Sequence, residues 1–206
     1  MAGTSSPYGI IPISDQNGLL RPTRIPLGIA NQYNSNIFKY QAVTMATATG
    51  TLQAITNPGG TPQQIWGIFA GVEFTPLGGR PTESPFWPAG TNYDTSYQMF
   101  VYVWPAWIPG IRYQVQADGS VAQALLGSQF NITNLAAGST SIGLGTCTVG
   151  AAGIAAGSQG QFALVEFATS VEIGGSGQSA VGDAFTDLIC TMAYPQVGFG
   201  PQKSIG

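Results

Sequence analysis

Apolar and polar positions alternate with a period of two along several short segments of this 206-residue chain. That spacing puts successive side chains on opposite faces of a β-strand. In 66–74 (WGIFAGVEF), Trp66, Ile68, Ala70, Val72 and Phe74 fall on one face, with Gly67, Gly71 and Glu73 on the other. In 111–118 (IRYQVQAD), Ile111, Tyr113, Val115 and Ala117 point inward, while Arg112, Gln114, Gln116 and Asp118 point outward. Segment 98–104 (QMFVYVW) is almost wholly apolar, as suits a strand covered on both sides. Segments 37–43, 161–168 and 188–194 add further strands, and 51–55, 129–131 and 141–149 are weaker ones. Turn clusters separate them, among them Asn57-Pro58-Gly59-Gly60, Gly78-Gly79-Arg80-Pro81 and Asp118-Gly119. Short helical turns fit only 120–126 and 180–186. The pattern predicts an all-β fold: an antiparallel sandwich or barrel, in the manner of a jelly roll. Greek-key and meander connections share these local signals, so strand order stays open.

Residues 1–36 follow a different rule and are expected to form an extended, Pro-rich N-terminal arm, with the β-body over 37–206. Prolines 7, 12, 22 and 26 remove backbone donors and fix φ, which disfavours helix and central strand alike. Apolar residues remain frequent in this stretch, and a disordered tail would not need them. An arm would lay Ile10, Ile11, Ile13, Leu19, Leu20 and Ile25 on a surface, either the chain's own core or a neighbouring subunit. Arg21 and Arg24 are the arm's positive charges. They are either solvated or met by acidic groups of a partner.

Composition narrows the function. Six Lys/Arg and nine Asp/Glu make 7% of the chain, against roughly 25% in an ordinary domain. The surface is therefore polar but hardly ionised, and a free monomer should tend to associate. A net charge of -3 without a Lys/Arg cluster argues against nucleic acid as partner. Histidine is absent, which removes imidazole catalysis and His-ligated metal sites. No cofactor or metal motif is present. No export signal and no membrane-spanning apolar run are read in the chain, so no membrane partner is expected. Cys147 and Cys190 fit two buried free thiols better than a disulfide.

An enzyme without histidine would need paired carboxylates, and Glu73 with Glu166 is the pair that strands could bring together. Single acids on a solvated sheet face explain them as well, and the chain is not expected to be an enzyme. Asp183 and Asp187 suit turn capping. The Gly-x-Gly stretches lack the Lys-Ser/Thr ending of a phosphate loop and read as turns. The densest feature is the aromatic stretch 86–107, which holds Phe86, Trp87, Tyr93, Tyr97, Phe100, Tyr102, Trp104 and Trp107. It reads as core plus a proline-stiffened loop. Trp87 and Trp107 would otherwise be partner anchors or a platform for sugar rings.

Several strings resemble tailed-bacteriophage head decoration (cement) proteins. These are Trp66-Gly67-Ile68-Phe69-Ala70-Gly71-Val72-Glu73-Phe74, Phe86-Trp87-Pro88-Ala89-Gly90-Thr91, and Tyr102-Val103 running on to Tyr113-Gln114-Val115-Gln116-Ala117-Asp118-Gly119. Gly182-Asp183-Ala184-Phe185-Thr186-Asp187-Leu188 and the Arg21-Pro22 arm also fit. Trp104-Pro105 departs from the family's Asp-Pro, and no His ends the last strand. The resemblance implies a structural virion protein without catalytic residues, made in the host cytoplasm and bound to the capsid exterior. It implies the major capsid protein as partner and a homo-oligomer, a trimer before a dimer, with the arm reaching a neighbour. The alternative is a carbohydrate-binding β module of a virion or secreted protein, using residues 86–107.

Overall fold

The computed structural model describes residues 5–15, 20–56, 64–108, 110–135, 138–154, 160–168 and 181–193. The fold is all-β. Its strands are β1 (Ile11–Ser14), β2 (Thr23–Ile25), β3 (Ala42–Met45), β4 (Leu52–Ala54), β5 (Gly67–Phe74), β6 (Thr82–Ser84), β7 (Phe100–Pro105) and β8 (Arg112–Gln116). The pairs Gln129–Phe130 (β9), Ile132–Thr133 (β10), Gly138–Ser139 (β11), Leu144–Gly145 (β12) and Thr148–Val149 (β13) follow. The long strands β14 (Phe162–Phe167) and β15 (Asp187–Met192) complete the set. A single 3-10 turn at Gln123–Leu125 is the helical element among the described residues, within the expected 120–126.

Two antiparallel sheets carry the architecture. A five-stranded sheet runs β1-β8-β15-β14-β9. A six-stranded sheet runs β2-β7-β5-β3-β4, with β6 paired to the far half of β5. The consecutive strands β7 and β8 lie in different sheets, so the 106–111 connection turns the corner between layers. The order is not a simple meander, because β8 sits between β1 and β15.

The first core fills the space between the sheets. Ala42, Ile68 and Trp104 of the six-stranded sheet meet Tyr113, Val115, Phe162, Leu164, Leu188 and Cys190 of the other. The second core lies on the opposite face of the six-stranded sheet. There Val43, Leu52, Phe69, Val72, Val101 and Val103 pack against Ile29, Ile37, Trp87 and Met99, which come from irregular segments. Two loop segments, 26–37 and 85–99, thus act as a third layer. They are tied in by Ile37 and Trp87, which exchange backbone bonds of 3.0 and 2.8 Å, and by Leu52 N–H to Gly28 C=O at 3.0 Å.

Two local features differ from the simple alternation. The expected β5 face does not hold: Trp66, just ahead of the strand, already serves the second core, while Ile68 serves the first. A β-bulge then shifts the register between Phe69 and Gly71 against β7, so Val72 and Phe74 join Phe69 in the second core. Glycine is required at the bulge, since a Cβ on Gly71 would sit 2.9 Å from the Ser84 carbonyl oxygen. The expected strand 37–43 is broken by Tyr40, whose φ is 68°. Ile37 and Lys39 make isolated bridges, and the strand proper starts at Ala42.

The described part of 1–36 lies on the chain's own body. β1 is the edge strand beside β8 and β2 the edge strand beside β7. The Ile10 N–H donates to the Tyr40 carbonyl at 2.8 Å, and its side chain is fully buried in the first core. The segment thus borders both sheets around the β7–β8 corner. The division at residue 37 is not a division in packing.

Candidate functional site

The N-terminal segment sorts its candidate residues by depth. Ile10 is core. Ile11 is half-buried on β1, and Ile13 beside it is exposed. Leu20 is half-buried against the first core and Ile25 against the second. Leu19 lies outside the described residues. Arg21 is exposed. Arg24 meets an acid within its own chain: its guanidinium donates to Glu73 at 2.7 Å and sits 3.3 Å from the Phe100 ring centroid. Tyr102 donates its hydroxyl to the same carboxylate at 3.2 Å. The Arg24 hydrogen bonds hold the Glu73 carboxyl below its ordinary range. Three strands are thereby clasped at the surface, a contribution that salt screens.

The carboxylate pair considered from sequence is not assembled. Glu73 is on the six-stranded sheet with Arg24, whereas Glu166 is on the five-stranded sheet, 3.6 Å from Arg112. Asp187 accepts the Tyr8 hydroxyl at 2.9 Å, and Gln116 lies at 3.4 Å. Burial raises the Asp187 carboxyl above its ordinary range, against the pull of those two hydrogen bonds. Burial, with Asp187 beside it, also pushes the Tyr8 phenol up. This contact fastens the chain's beginning to β15. Cys147 and Cys190 are free and buried. Burial pushes both thiols up to about 12, which leaves them protonated near neutrality. Among the described residues, no cluster of three or more His, Cys, Asp or Glu is placed to hold a metal ion. No described helix is long and apolar enough to cross a membrane.

The aromatic stretch is mostly interior. Trp87 is fully buried, with Phe74 at 5.1 Å and Tyr93 at 5.9 Å in edge-on contact. It offers no face to a sugar ring. Trp107 is half-buried, edge-on to Trp66 at 5.0 Å. Phe86 stacks on Phe38 and Trp104 on Tyr40. Tyr97 is the exception, at 59% exposed. It borders a shallow open cleft of about 360 Å³ walled by Gly28, Tyr93, Thr95, Ser96, Gln98 and Met99. The cleft floor is set by the second core: the Met99 sulfur accepts the Ile29 N–H at 3.2 Å, and Tyr93 donates its hydroxyl to the Ile29 carbonyl at 3.1 Å. Sequence reading placed Tyr97 in the stretch without separating it from its buried neighbours. The separating signal is the Asp94-Thr95-Ser96 turn before it, where an acid two residues ahead of a backbone N–H caps an exposed loop. Comparison with protein-family models, with curated proteins and with solved structures finds no match for this chain.

Proposed function

We propose that this chain is a structural virion protein: a decoration protein that binds the outside of an assembled bacteriophage head and stabilises it. The observation that carries the reading is where the family-like strings fall. Trp66, Phe69, Val72 and Phe74 from the first string and Trp87 from the second meet in one core, the one beneath the loop layer. The third string supplies Tyr113 and Val115 of β8 and Ala117 just after it, all buried in the first core. The strings that suggest the family are thus the residues that build the body. A surface with few charges, on a body whose irregular segments are anchored, suits a clamp that must stay folded while held against neighbours.

The mechanism is linkage. A protein that binds only the expanded shell lowers the free energy of that state by its binding free energy. Repetition around the shell multiplies weak contacts into avidity. The proposed partners are the major capsid protein and further copies of this chain, a trimer before a dimer. Ile13 and Arg21 are exposed members of the N-terminal set, while Arg24, also exposed, is held by Glu73; Ile13 and Arg21 are therefore the proposed contact residues, and Ile10 and Trp87 act through the fold instead. Purified protein added to heads assembled without it should bind to saturation at a fixed ratio to the shell subunit and raise the temperature of head disruption. Ile13→Asp and Arg21→Glu should weaken binding without changing the unfolding midpoint. A folded protein that does not sediment with heads contradicts the proposal.

A further inference from the structure

We infer that the cleft beside Tyr97 is a binding site for a neutral saccharide. The inference does not rest on the capsid reading, since the cleft is on the loop layer and none of the proposed capsid contacts line it.

The wall is chemically neutral and rich in polar groups. Gly28, Tyr93, Thr95, Ser96, Tyr97, Gln98 and Met99 supply hydroxyls, an amide, aromatic faces and one thioether, and no Lys, Arg, Asp or Glu. A charged ligand would find no counter-charge there. A polyol would find donors and acceptors beside an apolar ring, which matches a sugar's hydroxyl rim and C–H face. The volume of about 360 Å³ falls at the lower end of the roughly 300–1,000 Å³ typical of small-ligand sites.

The wall is also preorganised. Asp94 accepts the Ser96 N–H on its carboxylate at 2.9 Å and the Tyr97 N–H on its carbonyl at 3.3 Å. Its own N–H donates to the Thr75 carbonyl at 2.8 Å, anchoring the turn to the end of β5. The backbone of 94–97 is therefore held while its side chains face solvent. Tyr93 is fixed at both ends of its ring, by Trp87 and by the Ile29 carbonyl. A fixed backbone loses little entropy when a ligand arrives.

The side chains of the turn leave hydrogen-bonding capacity unused. The hydroxyls of Thr95, Ser96 and Tyr97 make no hydrogen bond to any described residue, although the backbone around them is bonded. Tyr97 is also the most exposed aromatic side chain described. An exposed ring on a held turn, with its own free hydroxyl and those of Thr95 and Ser96 beside it, is a stacking platform with polar partners at hand. The buried Trp87 and the edge-packed Trp107 cannot serve in its stead.

The test uses the full chain. A printed array of neutral and anionic oligosaccharides identifies the best neutral glycan, and saturation-transfer NMR with its methyl glycoside at millimolar concentration measures binding. The account expects a neutral glycan to bind and Tyr97→Ala to weaken it at least about tenfold, which corresponds to about 1.4 kcal/mol. Tyr97→Phe keeps the ring and should retain most binding. Trp107→Phe, away from the cleft, should change nothing. Because Tyr97 is exposed, its variants should unfold at the wild-type midpoint. The inference is overturned if neither method detects a neutral glycan on folded protein, if Tyr97→Ala binds as well as wild type, or if only anionic glycans bind.

Discussion

The two faces of the six-stranded sheet are covered in different ways. On one face, strand meets strand. Each layer of the first core draws on residues two apart in β8, β14 and β15, so loss of one strand exposes many partners. On the other face, strand meets loop. The second core depends on single side chains dropped from irregular backbone: Ile29, Ile37, Trp87 and Met99. The difference is one of redundancy. A sheet face is held by a ladder, whereas a loop layer is held by its anchors, and Trp87 is the largest of them. The same difference places the open cleft on the loop side, where backbone need not satisfy a ladder and side chains can turn outward.

Truncating a first-core residue should have the largest effect. Phe162 is fully buried and packs edge-on to Tyr113 at 5.9 Å. Phe162→Ala should cost about 3–5 kcal/mol and lower hydrogen-exchange protection throughout both sheets. Trp87→Ala should cost a similar amount by denaturant titration, about 3–5 kcal/mol, but its protection loss should centre on 26–37 and 85–99. Equal loss everywhere would merge the two cores into one cooperative unit. Trp87→Phe should cost less than half as much, because the buried indole N–H has no hydrogen-bond partner among the described residues to lose.

A smaller effect lies at the chain's beginning, and its sign is fixed by linkage. Asp187 has a raised carboxyl pKa when folded. It therefore binds its proton more tightly folded than unfolded. Its stabilising contribution is full below the unfolded value and is lost as pH rises through the folded value. Asp187→Asn, which stays neutral, should gain on wild type as pH rises from below about 3.9 towards neutrality. A midpoint difference that runs the other way would mean that the Tyr8 and Gln116 hydrogen bonds outweigh burial. The smallest effect belongs to the exposed Arg24–Glu73 contact. Arg24→Ala should lower the unfolding midpoint slightly at low salt and not measurably at high salt, since screening removes most of such a pair.

Legibility in the sequence followed the same division. β5, β7, β8, β14 and β15 could be read because each is long enough for period two or a doubly covered apolar run to register. The role of 26–37 could not be read. Ile29, between Gly28 and Ala30, and Ile37, before Phe38, follow no strand or helix period, and only a tertiary partner, the back of the sheet, explains them. The β5 bulge was hidden for a related reason: Ala70-Gly71 keeps the apolar count while shifting the register by one. The prolines of 1–36 announced extended chain and edge positions, but not which surface it would lie on. Pro12 and the flanking Pro22 and Pro26 suit edge strands, where a missing N–H costs no ladder bond. In the aromatic stretch, composition could not separate Trp87 from Tyr97. One is core and the other solvent-facing, and the loop path alone decides which.

The most direct test of the structural reading is the number of copies in purified particles. Quantitative mass spectrometry would count this chain against the most abundant shell protein in particles from a culture that produces it. The account predicts a ratio within a few-fold of one to one, as a protein repeated over the shell requires. A handful of copies per particle, or none, would contradict it.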